Sequence, residues 1–389
     1  MTLSQIVVGI DFGTTYSGVS WALNRGNRQV NLITNWENPT AGFTNPNSNK
    51  VPTLISYENG SAVAWGFEAA LSGDANLRWF KILLEPEYRY KQMSEQAIYS
   101  REILERMNKT PQDAVADYLQ LLWQHAEEHI RHRIPKDDDG HNHELKVVIT
   151  VPAMWSDVAK DQTREAAKKA GIPGEISLVS EPEAAALATF KDRSTNGEPL
   201  RKDDVYVVCD AGGGTVDLIS YKIRSLDPLE IEECAIGDGG LCGSAYIDMG
   251  FEKFVKLKVG EAEYNRMNEN HRKRMMIDFD VQVKRGFSGK DQKNRSVELR
   301  GVRNNAEEGI INGAIILSAD SIRTLFDQVC SQVEDLVEKQ IDEVEEKGFA
   351  VKAVLLVGGF GASRYLHHRL ENGYKNRQKE IQVIQNAEA

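Results

Sequence analysis

Two stretches of the chain place an aspartate at the end of an apolar, β-branched run and follow it with a glycine and threonine turn. The first, VVGIDFGTTYSG at residues 7 to 18, ends in Asp11 and turns through Gly13, Thr14 and Thr15. Backbone N–H groups and two hydroxyls in such a turn can meet phosphate oxygens, and the carboxylate can hold a hydrated cation. Taken alone, the motif reads first as an ordinary hairpin turn. The second, VYVVCDAGGGTVDL at residues 205 to 218, repeats the logic with Asp210, then Gly212, Gly213, Gly214 and Thr215, then Asp217. Two related strand-Asp-Gly-Thr hairpins, one per half of the chain, are what a cleft needs to grip a phosphate tail from both sides.

These hairpins need strands to carry them. Short apolar runs recur before glycine-rich or polar turns at IVVGI (6 to 10), KVVITV (146 to 151), VYVVCD (205 to 210) and AVLLVGG (353 to 359), and each reads as a buried strand. Helical periodicity fills the intervals at Thr110 to Arg133, Ser156 to Ala170 and Ser318 to Lys347. Thr110-Pro111 and Ser156-Asp157 supply helix starts. Alternating strands and helices imply an α/β architecture with largely covered sheets. At 389 residues the chain exceeds one ordinary core and should hold two lobes or more.

With 41% hydrophobic and 27% charged residues the composition is that of a soluble globular protein. A net charge of −11 and a pI near 5.4 argue against sequence-independent attraction to nucleic acid or anionic membrane. No basic-then-apolar leader opens MTLSQIVVGIDFG, and no apolar stretch approaches the roughly 20 residues that span a bilayer. Cys209, Cys234, Cys242 and Cys330 are scattered without a CxxC pair, which suits free thiols in a reducing, cytoplasmic compartment.

Two segments break the periodicity. PKDDDGHNHE (135 to 144) reads as a surface loop, and KDRSTNGEPLRKDD (191 to 204) as the crossing between lobes. His141 and His143 beside Asp137, Asp138 and Asp139 lack rigid ligand spacing and read as a solvated acidic tract rather than a metal site. The run VEDLVEKQIDEVEEK (333 to 347) reads as the wet face of an amphipathic helix.

Beside the two hairpins stand VVITVPAMWSD (147 to 157), SEPEAAALA (180 to 188), GDGGLCGSAYID (237 to 248) and VLLVGGFGASRYL (354 to 366). In this order the motifs resemble the actin-like ATPase superfamily, and within it the nucleotide-binding domain of the seventy-kilodalton heat-shock chaperones. The resemblance spans nearly the whole chain. YSGVSWA, CGS at 242 to 244 and GFGASRYL look more like a divergent branch than the housekeeping chaperones. It implies an actin-like ATPase fold: two lobes, each a mixed β-sheet flanked by helices, with nucleotide in the cleft between them. Lobe I would span 1–203 with a small subdomain over about 38–107. Lobe II would span 204–364 with one over about 245–308, and 365–389 would return toward lobe I.

The resemblance also implies roles and ligands, namely ATP or ADP, Mg2+ and, in the same site, K+. Asp11, Asp210 and Asp217 would serve the metal. Gly13, Thr14, Thr15 and the backbone from Gly212 to Thr215 would hold phosphates. Glu181 would orient metal-bound or attacking water, with helix capping as its plain alternative. Lys81, in RWFKILL, falls where the family carries a lysine that contacts the γ-phosphate and water. Its alternatives are an ordinary surface lysine and, for the catalytic charge, Arg78. Lys284, Arg285 and Ser288 in VKRGFSG would border base and ribose, with Gly358 and Gly359 letting the backbone approach the adenosine. The adenine-stacking arginine is displaced: Ala362 stands in its place and Arg364 two residues on.

The expected activity is slow hydrolysis of ATP to ADP and phosphate, timing a lobe movement for a chaperone served by co-chaperones or a nucleotide-exchange factor. A sugar or carboxylate kinase and a nucleotide-gated assembly protein share the fold, and fold alone does not choose among them. No motif for an acceptor pocket with an aspartate base is present. TVPA and EPEAAA favour the chaperone branch. The chain stops at IQVIQNAEA (381 to 389), which leaves no room for the family's peptide-binding domain, so the expectation is either a truncated product or a protein that acts without a peptide clamp.

Overall fold

The run QIVVGIDF alternates half-buried and buried residues along its length and forms β1 (Gln5–Phe12), as a strand in a sheet covered on one face should. It belongs to the first of two units, Met1–Ala184 and Ala185–Ala389, of a mixed α/β chain. The computed structural model describes residues 5–24, 29–36, 48–71, 76–86, 95–134, 144–195, 200–290, 292–375 and 381–385. The acidic tract with His141 and His143 lies outside the described residues, as do residues 196–199.

In the first unit β1 is followed by β2 (Tyr16–Leu23), β3 (Asn31–Leu32), β4 (Val51–Pro52), β5 (Ile55–Glu58), β6 (Ser61–Trp65), β7 (Asn76–Leu77), β8 (Glu144–Val151) and β9 (Glu175–Ser180). The main sheet has the order β3-β2-β1-β8-β9, with β4 also on β2. β1 and β2 are antiparallel; β1, β8 and β9 run parallel. A small sheet, β6-β5-β7, stands apart within the expected small subdomain. The helices are α1 (Gly66–Leu71), α2 (Glu95–Arg106), α3 (Pro111–Arg133), α4 (Asp157–Lys169) and α5 (Glu181–Thr195). α3 begins in a full capping box: Asp113 N–H donates to Thr110 Oγ1 and Thr110 N–H donates to Asp113 Oδ2.

The second unit repeats the plan. Its strands are β10 (Val205–Ala211), β11 (Val216–Leu226), β12 (Leu229–Gly240), β13 (Arg295–Glu298), β14 (Ile310–Ile311), β15 (Ala314–Leu317), β16 (Val351–Val357) and β17 (Gln382–Gln385). The main sheet runs β12-β11-β10-β16-β17, in which β12, β11 and β10 are antiparallel neighbours and β10, β16 and β17 run parallel. The helices are α6 (Ala245–Val259), α7 (Glu261–Arg266), α8 (Glu269–Asp278), α9 (Ala319–Glu346), α10 (Gly358–Gly361) and α11 (Arg364–Tyr374). In α9 Ile322, Phe326, Val329, Val333, Val337, Ile341 and Val344 form the buried stripe, so the acidic run is the outer face of this helix.

Some elements run beyond their expected ranges. α5 continues through Lys191, Asp192 and Arg193 to Thr195, because none of these residues breaks a helix before Gly197. The two compact units divide within the first turn of α5, at Ala184/Ala185. β17 pairs with β16, and Ile381 joins the buried core there. The second small sheet, β13-β15-β14, runs past 308 to Leu317. Asn312 and Gly313 adopt positive φ between β14 and β15, an Asn-Gly hairpin signal present in the sequence.

All four cysteines are free. Burial, reinforced by Asp217, pushes the Cys242 thiol up to about 12, so it stays protonated and inert. Among the described residues no helix is long and apolar enough to cross a membrane.

Candidate functional site

In the first unit the β1–β2 register sets Asp11 opposite Gly18 and Phe12 opposite Ser17, leaving Gly13 to Thr15 as the turn. A Cβ on Gly13 would lie 2.2 Å from the Tyr16 carbonyl oxygen, so the turn closes only with glycine there. Thr53 staples it from outside the hairpin. Its N–H donates to the Thr15 carbonyl at 2.8 Å and its Oγ1 to the Gly13 carbonyl at 2.8 Å, while Ser17 Oγ lies 2.8 Å from the same hydroxyl. Thr14 is buried.

Asp11 accepts from Thr150 Oγ1 at 3.2 Å, and its Oδ2 lies 2.9 Å from Lys50 Nζ. Burial alone would raise this carboxyl, but the charges of Lys50 and Lys81 outweigh it and hold Asp11 below the ordinary carboxylate value. Ionised, it is the right donor for a hydrated cation.

Lys81 is no surface lysine: it is 1% exposed. Its Nζ lies 2.5 Å from Glu181 Oε1, 5.3 Å from the Phe12 ring and 5.2 Å from the Trp155 ring. The lysine sits in a 3-10 turn, Phe80–Leu84, that starts from Trp79 at φ 59. A left-handed conformation at a buried tryptophan costs on the order of 1–3 kcal/mol, strain of the kind that gathers at functional sites. Glu181 opens α5 but does not cap it, since Ser180 Oγ accepts the Glu183 N–H at 3.2 Å. The carboxylate instead reaches Lys81. Arg78, by contrast, is exposed.

In the second unit Asp210 stands directly opposite Asp217 across β10–β11, and Gly212 to Thr215 form the turn, with Gly212 N–H donating to the Thr215 carbonyl at 2.9 Å. Backbone holds this turn. Gly243, Ser244 and Ala245 donate their N–H groups to the carbonyls of Gly214 (3.3 Å), Gly212 (3.1 Å) and Gly213 (2.9 Å). A Cβ on Gly243 would meet Gly213 O at 2.4 Å and Gly213 C at 2.5 Å. Gly358 has φ +80, and a Cβ there would lie 2.3 Å from Asp210 Oδ1, so this glycine lets the start of α10 close onto the aspartate. Gly359 faces open space.

Lys284 ends a π-helical turn, Phe279–Lys284, a feature frequent at functional sites. It binds Asp248 (2.7 and 2.8 Å) and Asp280 (2.9 Å), and Arg285 also binds Asp280 at 2.7 Å. Burial pushes the Asp248 carboxyl up to about 6 despite Lys284, because one ammonium serves two carboxylates. The Ser288 carbonyl accepts from His368 Nδ1 at 3.3 Å, and the Phe287 and Tyr365 rings lie 5.0 Å apart. The Lys-Arg segment and the segment after Gly358-Gly359 therefore meet. Ala362 and Arg364 are both exposed at the junction of α10 and α11.

The residues fit a metal-bound phosphate better than a bare metal. Among the described residues no group of three or more His, Cys, Asp or Glu side chains gathers into a cage. Magnesium typically keeps most of its water and binds through one or two carboxylates plus phosphate. Two like charges opposite each other, Asp210 and Asp217, are the arrangement that a divalent cation would relieve. Sequence reasoning missed Lys50, Thr53, Thr150 and Trp155. Lys50 and Thr53 flank an unremarkable two-residue strand, and only its pairing with β2 brings them to the turn.

A repeated mixed sheet, each copy tipped by an aspartate and a glycine-threonine turn, is the actin-like ATPase fold in its Hsp70 form. The Hsp70 protein family model matches residues 87–381, well over half of the chain, and the chain belongs to that family. Among named proteins it is similar to Heat shock 70 kDa protein 12B of Homo sapiens, 25% identical over 94% of this chain and 64% of that protein. Heat shock 70 kDa protein 12A of Mus musculus is 24% identical, over 95% of this chain and 66% of its own length. Chaperone protein DnaK of Mycoplasma mycoides subsp. mycoides is 25% identical, over 91% and 52%. The chain thus spans about two thirds or less of the length of these relatives.

Proposed function

We propose that this Hsp70-type domain binds ATP with Mg2+ and hydrolyses it slowly to ADP and phosphate. The observation that carries the reading is the Lys81–Glu181 pair, a lysine 1% exposed and bound at 2.5 Å to an acid 100 residues away, beside the Asp11 turn. Burying such a pair costs several kcal/mol per ion in desolvation, so a purely structural role is a weak account of it.

The backbone N–H groups of the turns at Gly13–Thr15 and Gly212–Thr215, with the Thr14 and Thr15 hydroxyls, hold phosphate oxygens. Asp11, Asp210 and Asp217 hold the metal's water shell. Magnesium, when bound with nucleotide, neutralises charge building on the transferred phosphate. Glu181 orients the attacking water and accepts its proton, and Lys81 exchanges Glu181 for the developing negative charge. Lys284, Arg285, Ser288, Gly358 and Gly359 border the adenosine. K+ is a candidate second ion of the same site. Relatives named as heat-shock and chaperone proteins support a chaperone role. On this reading the protein is cytoplasmic and served by co-chaperones or an exchange factor, and hydrolysis times a conformational change.

The test is release of phosphate from magnesium–ATP by the purified chain, repeated with sugars and with ADP as a thermal-shift ligand. Phosphate release without an acceptor, together with a raised melting temperature on ADP, is expected. Turnover only with a sugar would make the protein a kinase. Absence of any nucleotide effect at millimolar concentration would remove the reading altogether.

A further inference from the structure

Lys50 belongs to none of the motifs that mark the site, yet the fold builds it into the first phosphate turn. β4 pairs Val51 with Ser17 and Pro52 with Tyr16, and Thr53 bonds the carbonyls of both Gly13 and Thr15. Tyr118, fully buried, donates its hydroxyl to the Pro52 carbonyl at 3.3 Å and fixes the strand from beneath. Lys50 is therefore the residue at which a segment stapled to the turn begins.

Its stem follows a prepared track. Gly18 is the residue opposite Asp11, and a Cβ there would lie 3.3 Å from Lys50 Cγ and 4.0 Å from Lys50 Cε. The lysine thus lies across the bare backbone of Gly18 and delivers its ammonium to Asp11 Oδ2 at 2.9 Å. Both partners remain partly open to solvent, at 42% and 39%. Such a half-exposed pair contributes little to stability, roughly 0–1 kcal/mol. A placement this specific, across a bare glycine and onto the carboxylate beside the turn, points to function. Lysine is a compact charge on a flexible stem, suited to exchanging one anionic partner for another.

We propose that Lys50 is a phosphate-site cation that exchanges between Asp11 and the terminal phosphate of bound ATP. Asp11 and that phosphate are alternative partners of one ammonium. The lysine distinguishes a triphosphate from a diphosphate, and it competes with magnesium for Asp11 until the phosphate draws it away. This rests on the nucleotide reading given above and adds a residue to it.

The test is calorimetry on the purified chain with magnesium–ADP and with a magnesium-bound non-hydrolysable ATP analogue, plus a magnesium titration of ADP binding. Lys50→Met should weaken the analogue by about tenfold or more, as expected for a lost charge-assisted hydrogen bond, and leave ADP within about twofold. Its magnesium midpoint for ADP binding should fall, because Asp11 is no longer shared. Lys50→Arg should restore most of the analogue's affinity, and Lys50→Gln should behave as the methionine variant does. Melting curves without nucleotide should be near the parent's for all three variants. An unchanged ratio of the two affinities, or an equal loss for both, overturns the proposal while leaving the nucleotide reading in place. A folded parent that binds neither nucleotide overturns the nucleotide reading, and the proposal with it.

Discussion

The two aspartate hairpins share a register and a turn, but different means hold them. The Gly13–Thr15 turn is tied by both the hydroxyl and the backbone N–H of Thr53, whereas the Gly212–Thr215 turn is tied by backbone alone, through three N–H groups from Gly243, Ser244 and Ala245. Charge differs as well. Asp11 faces a glycine and is met by Lys50; Asp210 faces a second carboxylate, Asp217. The first turn can be loosened by removing an atom, the second only by adding one. The first pairs its aspartate with a lysine, while the second sets two carboxylates opposite each other.

The sharpest way to break this contrast is to add a methyl group at Gly243. A Cβ there would sit 2.4 to 2.7 Å from Gly213 O, Gly213 C and Gly212 O, all backbone that cannot swing aside. Gly243→Ala should lower stability by about 3 kcal/mol in urea unfolding, near the upper end for overpacking, and should abolish nucleotide binding. Gly250→Ala, within α6 and at 3.4 Å from the flexible Leu325 side chain, should instead be neutral or stabilising by up to about 1 kcal/mol. Equal behaviour of the two variants would mean the second turn has room to move.

Next in size is the effect of Lys81→Met, which keeps apolar volume between Phe12 and Trp155 while removing the charge. Turnover should fall by roughly 10², the scale for a lost donor at developing charge, with ADP affinity close to the parent's. Unchanged single-turnover hydrolysis would return Lys81 to a structural role and make Arg78 the candidate. Thr53→Val tests the first turn directly. It strips the bond to the Gly13 carbonyl and leaves the buried Ser17 hydroxyl short of a partner, for an expected loss of about 1–2 kcal/mol in urea unfolding. A parent-like midpoint would show the first turn to be held by backbone alone, as the second is.

Much of this contrast was legible in residue types. The strands within 6–10, 146–151, 205–210 and 353–359, the last ending at Val357, the caps Thr110 and Ser156, and both aspartate turns follow from apolar runs and local hydrogen-bonding rules. Lys50 and Thr53 escaped because nothing local distinguishes them; their place is set by pairing β4 with β2. That Lys81 is buried likewise depends on Phe12, Trp155 and Glu181, which lie up to 100 residues away. The Asn312-Gly313 hairpin was readable and would have carried the small sheet to Leu317. Helix propensity in Lys191 to Arg193 outweighed the polar look of the tract and carried α5 to Thr195.

The smallest expected effect concerns pH, and here the two units should respond with opposite sign. Lys50 and Lys81 lower the Asp11 carboxyl against the effect of burial, so its contribution to stability is present above the ordinary carboxylate value of 3.8 and is lost as pH falls through its depressed folded value. Asp248 in the second unit goes the other way. Burial lifts it from 3.8 to about 6, so between those values the folded protein holds a proton that the unfolded chain has released. Stability from this group therefore rises as pH falls from 7 toward 5, by about 1 kcal/mol from the linkage relation, and is lost as pH climbs back through 6. Asp248→Asn cannot take up that proton. Urea unfolding of parent and variant at pH 7 and pH 5 should show the difference between them widening by about 1 kcal/mol in the parent's favour at the lower pH. A difference that stays constant would mean that Asp248 is ionised throughout this range, held so by Lys284 alone. The carboxylates of both units would then be alike, each pinned by its own lysine, and the electrostatic half of the contrast would reduce to Asp210 facing Asp217.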